Sequence, residues 1–196
     1  MPGDVLGAPL AHAIDARAII FVEGRSDAAA LDALTRRRGR DLDGESVAVV
    51  AIGGSKNIGR ALALVDGHGA QLAGLCDERE EPDYRFALER AGFGAVATRD
   101  ALESLGFFVC EPDLEGELIA ALGVEAVERV LEARGELDPF RTFQRQPAWR
   151  GREPAEQLRR FLGTHSGRKI GAAPALVDAL DLGSVPRPLD GVLASV

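Results

Sequence analysis

Along the first two thirds of the chain, short apolar runs alternate with segments of helical periodicity. The pattern predicts strand 18–23, helix 27–38, strand 46–52, helix 57–66, strand 71–77, helix 83–91, strand 94–98, a helical turn near 100–105, strand 106–110 and helix 114–122. Runs this short and continuously apolar read as strands buried on both faces, the habit of a parallel sheet. Strand–helix alternation implies right-handed crossovers, hence an α/β fold with a mainly parallel sheet flanked by helices. Val124 to Ala133 keeps helical periodicity, Gly135 and Pro139 interrupt it, and helices follow near 153–162, 168–180 and 188–195 without any strand pattern. The expected organisation is one α/β domain over residues 14–122 and a helical C-terminal extension, residues 123–196, packed on it.

Three of the apolar runs end in acids. Ala18-Ile19-Ile20-Phe21-Val22 leads into Glu23, Leu72-Ala73-Gly74-Leu75-Cys76 into Asp77, and Phe107-Phe108-Val109-Cys110 into Glu111 and Asp113. Open parallel sheets bind ligands beyond the carboxyl ends of their strands, so acids placed there converge in space. One such acid alone is explained as a helix cap or a solvated residue. Three together repel one another and call for a cation, and hard oxygen donors suit Mg²⁺ or Mn²⁺. After Glu23, the order Gly24-Arg25-Ser26-Asp27 sets a capping serine before a helix, with Asp27 as a first-turn acid or a second ligand.

The strings Phe21-Val22-Glu23-Gly24-Arg25-Ser26-Asp27, Gly53-Gly54-Ser55-Lys56-Asn57, Leu75-Cys76-Asp77 and Glu111-Pro112-Asp113-Leu114-Glu115 resemble the Toprim domain of topoisomerases and primases. Within that superfamily the chain is most similar to the Toprim nucleases of the overcoming-lysogenisation-defect (OLD) family, over roughly residues 18 to 122. The resemblance implies a Rossmann-like Toprim sheet and a magnesium-dependent nuclease centre holding one or two metals on Glu23, Asp27, Asp77, Asp113 and Glu115. One position departs from the family: Arg79 stands where its DxD pattern has a second acid. Glu80 is the first choice of substitute and Glu78 the second. A lysine from the C-terminal region assists the metal centre in the resembling nucleases, and Lys169, in Ser166-Gly167-Arg168-Lys169, is its best match. Larger members carry an ATPase that this sequence does not show, so either the chain acts alone or a separate ATPase or other regulatory protein is its partner.

The 196 residues, 46% of them hydrophobic, suffice for one substantial core. No apolar run reaches the roughly 20 residues needed to span a bilayer and no leader pattern opens the chain, so no membrane partner and a cytoplasmic location are expected. Net charge is −8, which by itself argues against nucleic acid. Residues 140–170, however, hold eight basic residues against two acids, interleaved with Phe143, Trp149 and Phe161. Phosphate contacts are expected from Arg141, Arg145, Arg159, Arg160 and Arg168, with the aromatics as stacking surfaces or core residues. Lys56 and Lys169 are the only lysines and both lie in small-residue loops, where a compact ammonium suits a phosphate. Lys56 does not belong to a Walker A loop, since the GxxxxGK[ST] spacing is absent. Cys76 and Cys110 read as small core residues, and His12, His68 and His165 form no catalytic pattern.

The expected activity is Mg²⁺- or Mn²⁺-assisted hydrolysis of DNA phosphodiesters, with Glu23, Asp77 and Lys169 in catalytic roles. Topoisomerase chemistry is not expected, because the lone tyrosine, Tyr84, falls in an acidic loop. Two alternatives stay open: a nucleotidyl transferase or RNA-processing nuclease built on the same ligands, and a non-catalytic nucleic-acid-binding module in which Arg79 marks a degraded site.

Overall fold

The computed structural model describes residues 10, 13–164 and 166–196, the Ser166 side chain excepted. Its centre is a four-stranded parallel sheet of β1 (Ala18–Val22), β2 (Val47–Ala51), β3 (Gln71–Asp77) and β4 (Phe107–Cys110), ordered β2-β1-β3-β4. All five residues of β1 are buried, as the unbroken apolar run requires of a strand covered on both faces. Register places Val22 beside Leu75, and Asp77 beside Cys110. The carboxyl ends of the two inner strands, β1 and β3, therefore lie side by side.

Alternation along each strand feeds two separate cores. Ile19, Phe21, Val50, Cys76, Phe107 and Val109 face a layer made by α2 (Ile58–Val65), α3 (Glu81–Arg90) and α4 (Arg99–Ser104). Ile20, Val22, Leu75, Phe108 and Cys110 face the other way, toward α1 (Arg25–Arg37) and the helices that follow β4. These are α5 (Leu114–Leu122), α6 (Val124–Ala133), α7 (Leu137–Gln144), α8 (Pro154–Leu162), α9 (Ser166–Ala179) and α10 (Arg187–Ala194). Leu158, Phe161, Leu176, Val177, Leu189 and Val192 of the last three helices share one buried cluster with the strands. The tail is tied down by polar contacts as well: Arg37 Nη1 donates to the Val177 carbonyl at 2.7 Å, and Arg40 Nη1 to that of Leu193 at 2.6 Å. Among the described residues, no helix is long and apolar enough to cross a membrane.

Three expectations from periodicity are corrected. Residues 94–98 form no strand; the Val96 amide donates to Glu89 at 2.9 Å and the Val96 carbonyl accepts from Arg85 at 2.6 Å, so α3 side chains satisfy the backbone groups a ladder would have used. Residues 137–144 form a helix despite Pro139, because the proline lies in the first turn, where its missing N–H costs no hydrogen bond. Tyr84 lies within α3, fully buried, rather than in a loop.

Gly74, in the middle of β3, fixes how closely β4 can approach: a Cβ built there would fall 2.5 Å from the Phe107 ring and 3.2 Å from the Phe21 carbonyl. Gly74→Ala is expected to lower stability by about 1–3 kcal/mol through overpacking. Urea denaturation checks it, and an unchanged midpoint would show that Phe107 is free to move aside.

Candidate metal centre

The site is built where β1 and β3 end. Glu23 follows the last residue of β1, and the turn after β2 grips it from behind: the amides of Gly53 and Gly54 donate to the Glu23 carbonyl at 2.9 and 3.2 Å. Gly54 has φ of 115°, a conformation that L side chains rarely adopt, so the glycine pair is required for this clasp. Asp77 closes β3 and leads directly into a 3₁₀ turn, Glu78–Glu80. Side chains three residues apart eclipse in such a turn, which puts Glu80 on the same side as Asp77 and swings Arg79 outward, 83% exposed. Carboxylate oxygens of Glu23, Asp77 and Glu80 consequently lie within 4.8 Å of one another.

The environment of Glu23 and Asp77 favours their neutral forms. Burial, a hydrogen bond with Glu80 and repulsion from the Glu80 charge push the Glu23 carboxyl up to about 7, with Lys169 and Arg79 pulling weakly the other way. Burial likewise pushes Asp77 up to about 7; Lys169 opposes the rise, while Asp27, Asp113 and Glu23 add to it. Glu80 is buried, and its Oε2 has no hydrogen-bond partner. An orphaned carboxylate oxygen beside two other crowded carboxyls is costly unless a cation completes it. Adjacent oxygens on octahedral Mg²⁺ stand about 3.0 Å apart and opposite ones about 4.2 Å, so the donor set suits a hard divalent ion once the three side chains draw together around it.

The other acids are placed differently. Asp27 sits in the first turn of α1, where its Oδ2 accepts from the Gly24 amide at 2.8 Å, and burial raises its pKa. Glu115, in the first turn of α5, is buried with Oε2 3.1 Å from Lys169 Nζ and Oε1 unpartnered. Lys169, reaching in from α9, is discharged by burial less than it is held charged by Glu115, Asp27 and Asp77, so its pKa lies above the ordinary lysine range. Asp113 caps α5, accepting from the Gly116 amide at 2.9 Å, and its Oδ2 pairs with Arg159 Nε at 2.7 Å. Glu78 turns outward to Arg99 at 3.5 Å. Arg99, which the pattern of the sequence did not single out, also holds Glu81 at 3.0 Å and Glu111, strapping the turn that carries Glu80 to the end of β4. Its only signal in the sequence was an arginine opening a short helix after a Thr98 cap.

Of the six basic residues expected to meet nucleic acid, four already hold a carboxylate. Lys56 pairs with Asp83 at 2.6 Å, Arg141 with Glu128 at 2.6 Å, Arg159 with Asp113, and Arg168 with Glu136 at 2.7 Å while lying 4.0 Å over the Phe161 ring. Arg145 and Arg160 are exposed without such a partner among the described residues. Phe143 and Phe161 are buried, and Trp149 is stacked on Phe143 with centroids 5.1 Å apart; they are core residues rather than a stacking surface. A groove of about 1040 Å³ between α2 and α3, lined by Ile58, Leu62, Phe86 and Phe93 among others, contains none of the clustered acids. The buried Tyr84 hydroxyl donates to the Leu75 carbonyl at 3.4 Å and is closed to a strand-transfer role. Cys76 and Cys110 are buried free thiols. His12 and His165 lie outside the described residues.

Comparison with known proteins agrees with this architecture. Residues 16–78 match the model of the Overcoming lysogenization defect protein-like TOPRIM domain. The C-terminal region of the Burkholderia pseudomallei OLD protein superposes with a TM-score of 0.64 at 21% identity, over 91% of this chain and 96% of that one. The chain has an OLD-like Toprim fold. The corresponding region of the Xanthomonas campestris pv. campestris OLD protein gives a TM-score of 0.68 at 21% identity, covering 92% of each chain. No curated protein sequence matches the chain. The family model spans β1 to the start of the Glu78–Glu80 turn, and a structural likeness over 92% of the chain reaches beyond it into the helical tail.

Protonated Glu23 adds stability that is complete below the ordinary glutamate range and disappears as pH rises through about 7. Glu23→Gln keeps the shape without the charge. Its metal-free melting temperature is expected to exceed the parent's at pH 8, with the gain shrinking toward pH 5. Calorimetry across that range checks it; equal shifts at both ends would contradict burial of an ionised carboxylate.

Proposed function

We propose that the chain is a nuclease that hydrolyses DNA phosphodiester bonds with Mg²⁺ or Mn²⁺. The observation that carries this reading is the convergence of Glu23, Asp77 and Glu80 around a buried, unpartnered Glu80 oxygen. A divalent ion bound by those three carboxylates supplies Lewis acidity and lowers the pKa of water at neutral pH.

The chain's own residues supply the rest. Two adjacent strand ends and one tight turn hold the donors on rigid elements, so little reorganisation is required on binding. Glu23 and Asp77, poised near neutrality, give up their protons as a cation enters, which makes binding tighter above pH 7 than below it. Lys169 sets a fixed positive charge beside the carboxylates, where negative charge on a phosphate grows during cleavage. Arg145, Arg150 and Arg160 are exposed, have no carboxylate partner among the described residues and offer phosphate contacts outside the centre. Glu80 returns a carboxylate to the cluster in place of the outward-turned Arg79, which favours a working centre over a degraded one.

Glu23→Gln and Asp77→Asn are each expected to lower Mn²⁺-dependent plasmid cleavage by at least about 100-fold, near 3 kcal/mol of lost transition-state stabilisation. Normal cleavage by either folded variant would remove the assignment. Arg160→Ala is expected to weaken DNA binding at every sequence and to reduce the log–log salt slope by about one unit. Arg168→Ala, whose partner is Glu136, is expected instead to lower thermal stability.

A further inference from the structure

We propose that Arg99 is a positioning residue of the metal centre: by holding the two acids on the outer side of the Glu78–Glu80 turn, it sets the rotation of that turn and so aims Glu80 at the ion. The proposal rests on the metal-centre reading and names a residue that tunes that same site.

Glu23 and Asp77 are held at strand ends, whereas Glu80 depends on a short 3₁₀ turn. That turn lies in Asp77-Glu78-Arg79-Glu80-Glu81, four carboxylates around an arginine that points outward, 83% exposed. Like charges this close in sequence favour an opened turn unless a cation gathers them. Residues three apart share a side of a 3₁₀ turn, so Asp77 and Glu80 form one pair and Glu78 and Glu81 the other. The inner pair meets Glu23. The outer pair meets Arg99, whose Nη2 lies 3.5 Å from Glu78 Oε1 and whose Nε donates to Glu81 Oε2 at 3.0 Å. Fixing one side of so short a turn fixes the other.

The clamp is rooted in the sheet. Arg99 Nη1 pairs with Glu111, which follows the last residue of β4, so the same guanidinium joins the turn, the start of α3 and a strand end. Its own backbone opens α4, where the Thr98 hydroxyl accepts from the Ala101 amide at 3.2 Å and Leu102 is fully buried. Exposed ion pairs are weak one by one, but here three carboxylates share one cation and the Glu81 side chain is only 13% exposed. Serving three acids in three directions takes the rigid fork of an arginine, which the point charge of a lysine does not reproduce. A guanidinium has no lone pair to give a metal, so Arg99 acts through Glu80 and is not itself a ligand.

Removing Arg99 has two effects of opposite sign. A fixed positive charge repels an incoming cation, so loss of charge alone would tighten metal binding, whereas loss of aim at Glu80 weakens it. The test is the Mn²⁺ affinity of the full chain, by calorimetric titration and electron paramagnetic resonance, with circular dichroism to show that each variant is folded. Arg99→Gln is expected to weaken Mn²⁺ binding about tenfold, as loss of a residue that orients a metal ligand does. Arg99→Lys keeps the charge and loses the fork; it is expected to weaken binding about fivefold, and it carries the test alone if Arg99→Gln does not fold. Arg85 holds Glu81 at 3.2 Å but pairs with neither Glu78 nor Glu111 among the described residues. Arg85→Lys is therefore expected to change the affinity by less than about twofold. Unchanged or tighter binding in a folded Arg99 variant overturns the proposal and leaves the metal centre standing, as does an equal loss in Arg85→Lys. A parent that binds no Mn²⁺ removes the metal-centre reading, and the proposal with it.

Discussion

Mutual repulsion among carboxyl groups at the ends of β1 and β3 is the constraint that the surrounding structure meets. Glu23, Asp27, Asp77, Glu80, Asp113 and Glu115 crowd one edge of a buried sheet, where the low dielectric strengthens every like-charge contact. Each is relieved in its own way. Glu23 and Asp77 hold their protons toward neutrality, Asp27 takes the Gly24 amide, Asp113 caps α5 and holds Arg159, and Glu115 takes the ammonium of Lys169. Glu80 and Glu115 each keep a buried oxygen with no partner, and Glu80, beside Glu23 and Asp77, is the one that a cation held by that trio satisfies.

That arrangement explains why the helical tail is integral to the fold. Lys169 comes from α9, more than ninety residues beyond Asp77 in sequence, and α9 packs against α1, the helix that begins with Asp27 in its first turn. Arg37 and Arg134 anchor the backbone of α9, the helix that carries Lys169. The likeness to OLD C-terminal regions over nearly the whole chain fits this interdependence of sheet and tail.

The arginine-rich tail follows a similar logic at the surface. An acidic chain with a basic segment invites long internal ion pairs, and Arg141, Arg159 and Arg168 are drawn to Glu128, Asp113 and Glu136. Net charge along a segment therefore overstates the charge available to a partner. What is left over, including Arg145, Arg150 and Arg160, is a smaller exposed set.

The sequence by itself determined the strand–helix alternation, the burial of the apolar runs and the placement of Glu23 and Asp77, because continuous apolar stretches ending in acids admit few other arrangements. It did not determine residues 94–98, where Arg85 and Glu89 side chains outcompete a strand ladder, nor the helix at 137–144, where a first-turn proline is harmless. It named Glu80 as a substitute for the acid missing at Arg79, but only the 3₁₀ turn, by eclipsing residues 77 and 80, decided that Glu80 points inward while Glu78 goes to Arg99. Which acid would meet Lys169, and which arginines would be neutralised, depended on contacts between elements dozens of residues apart. Side-chain pairing of that kind is set by packing geometry, and local pattern carries no record of it.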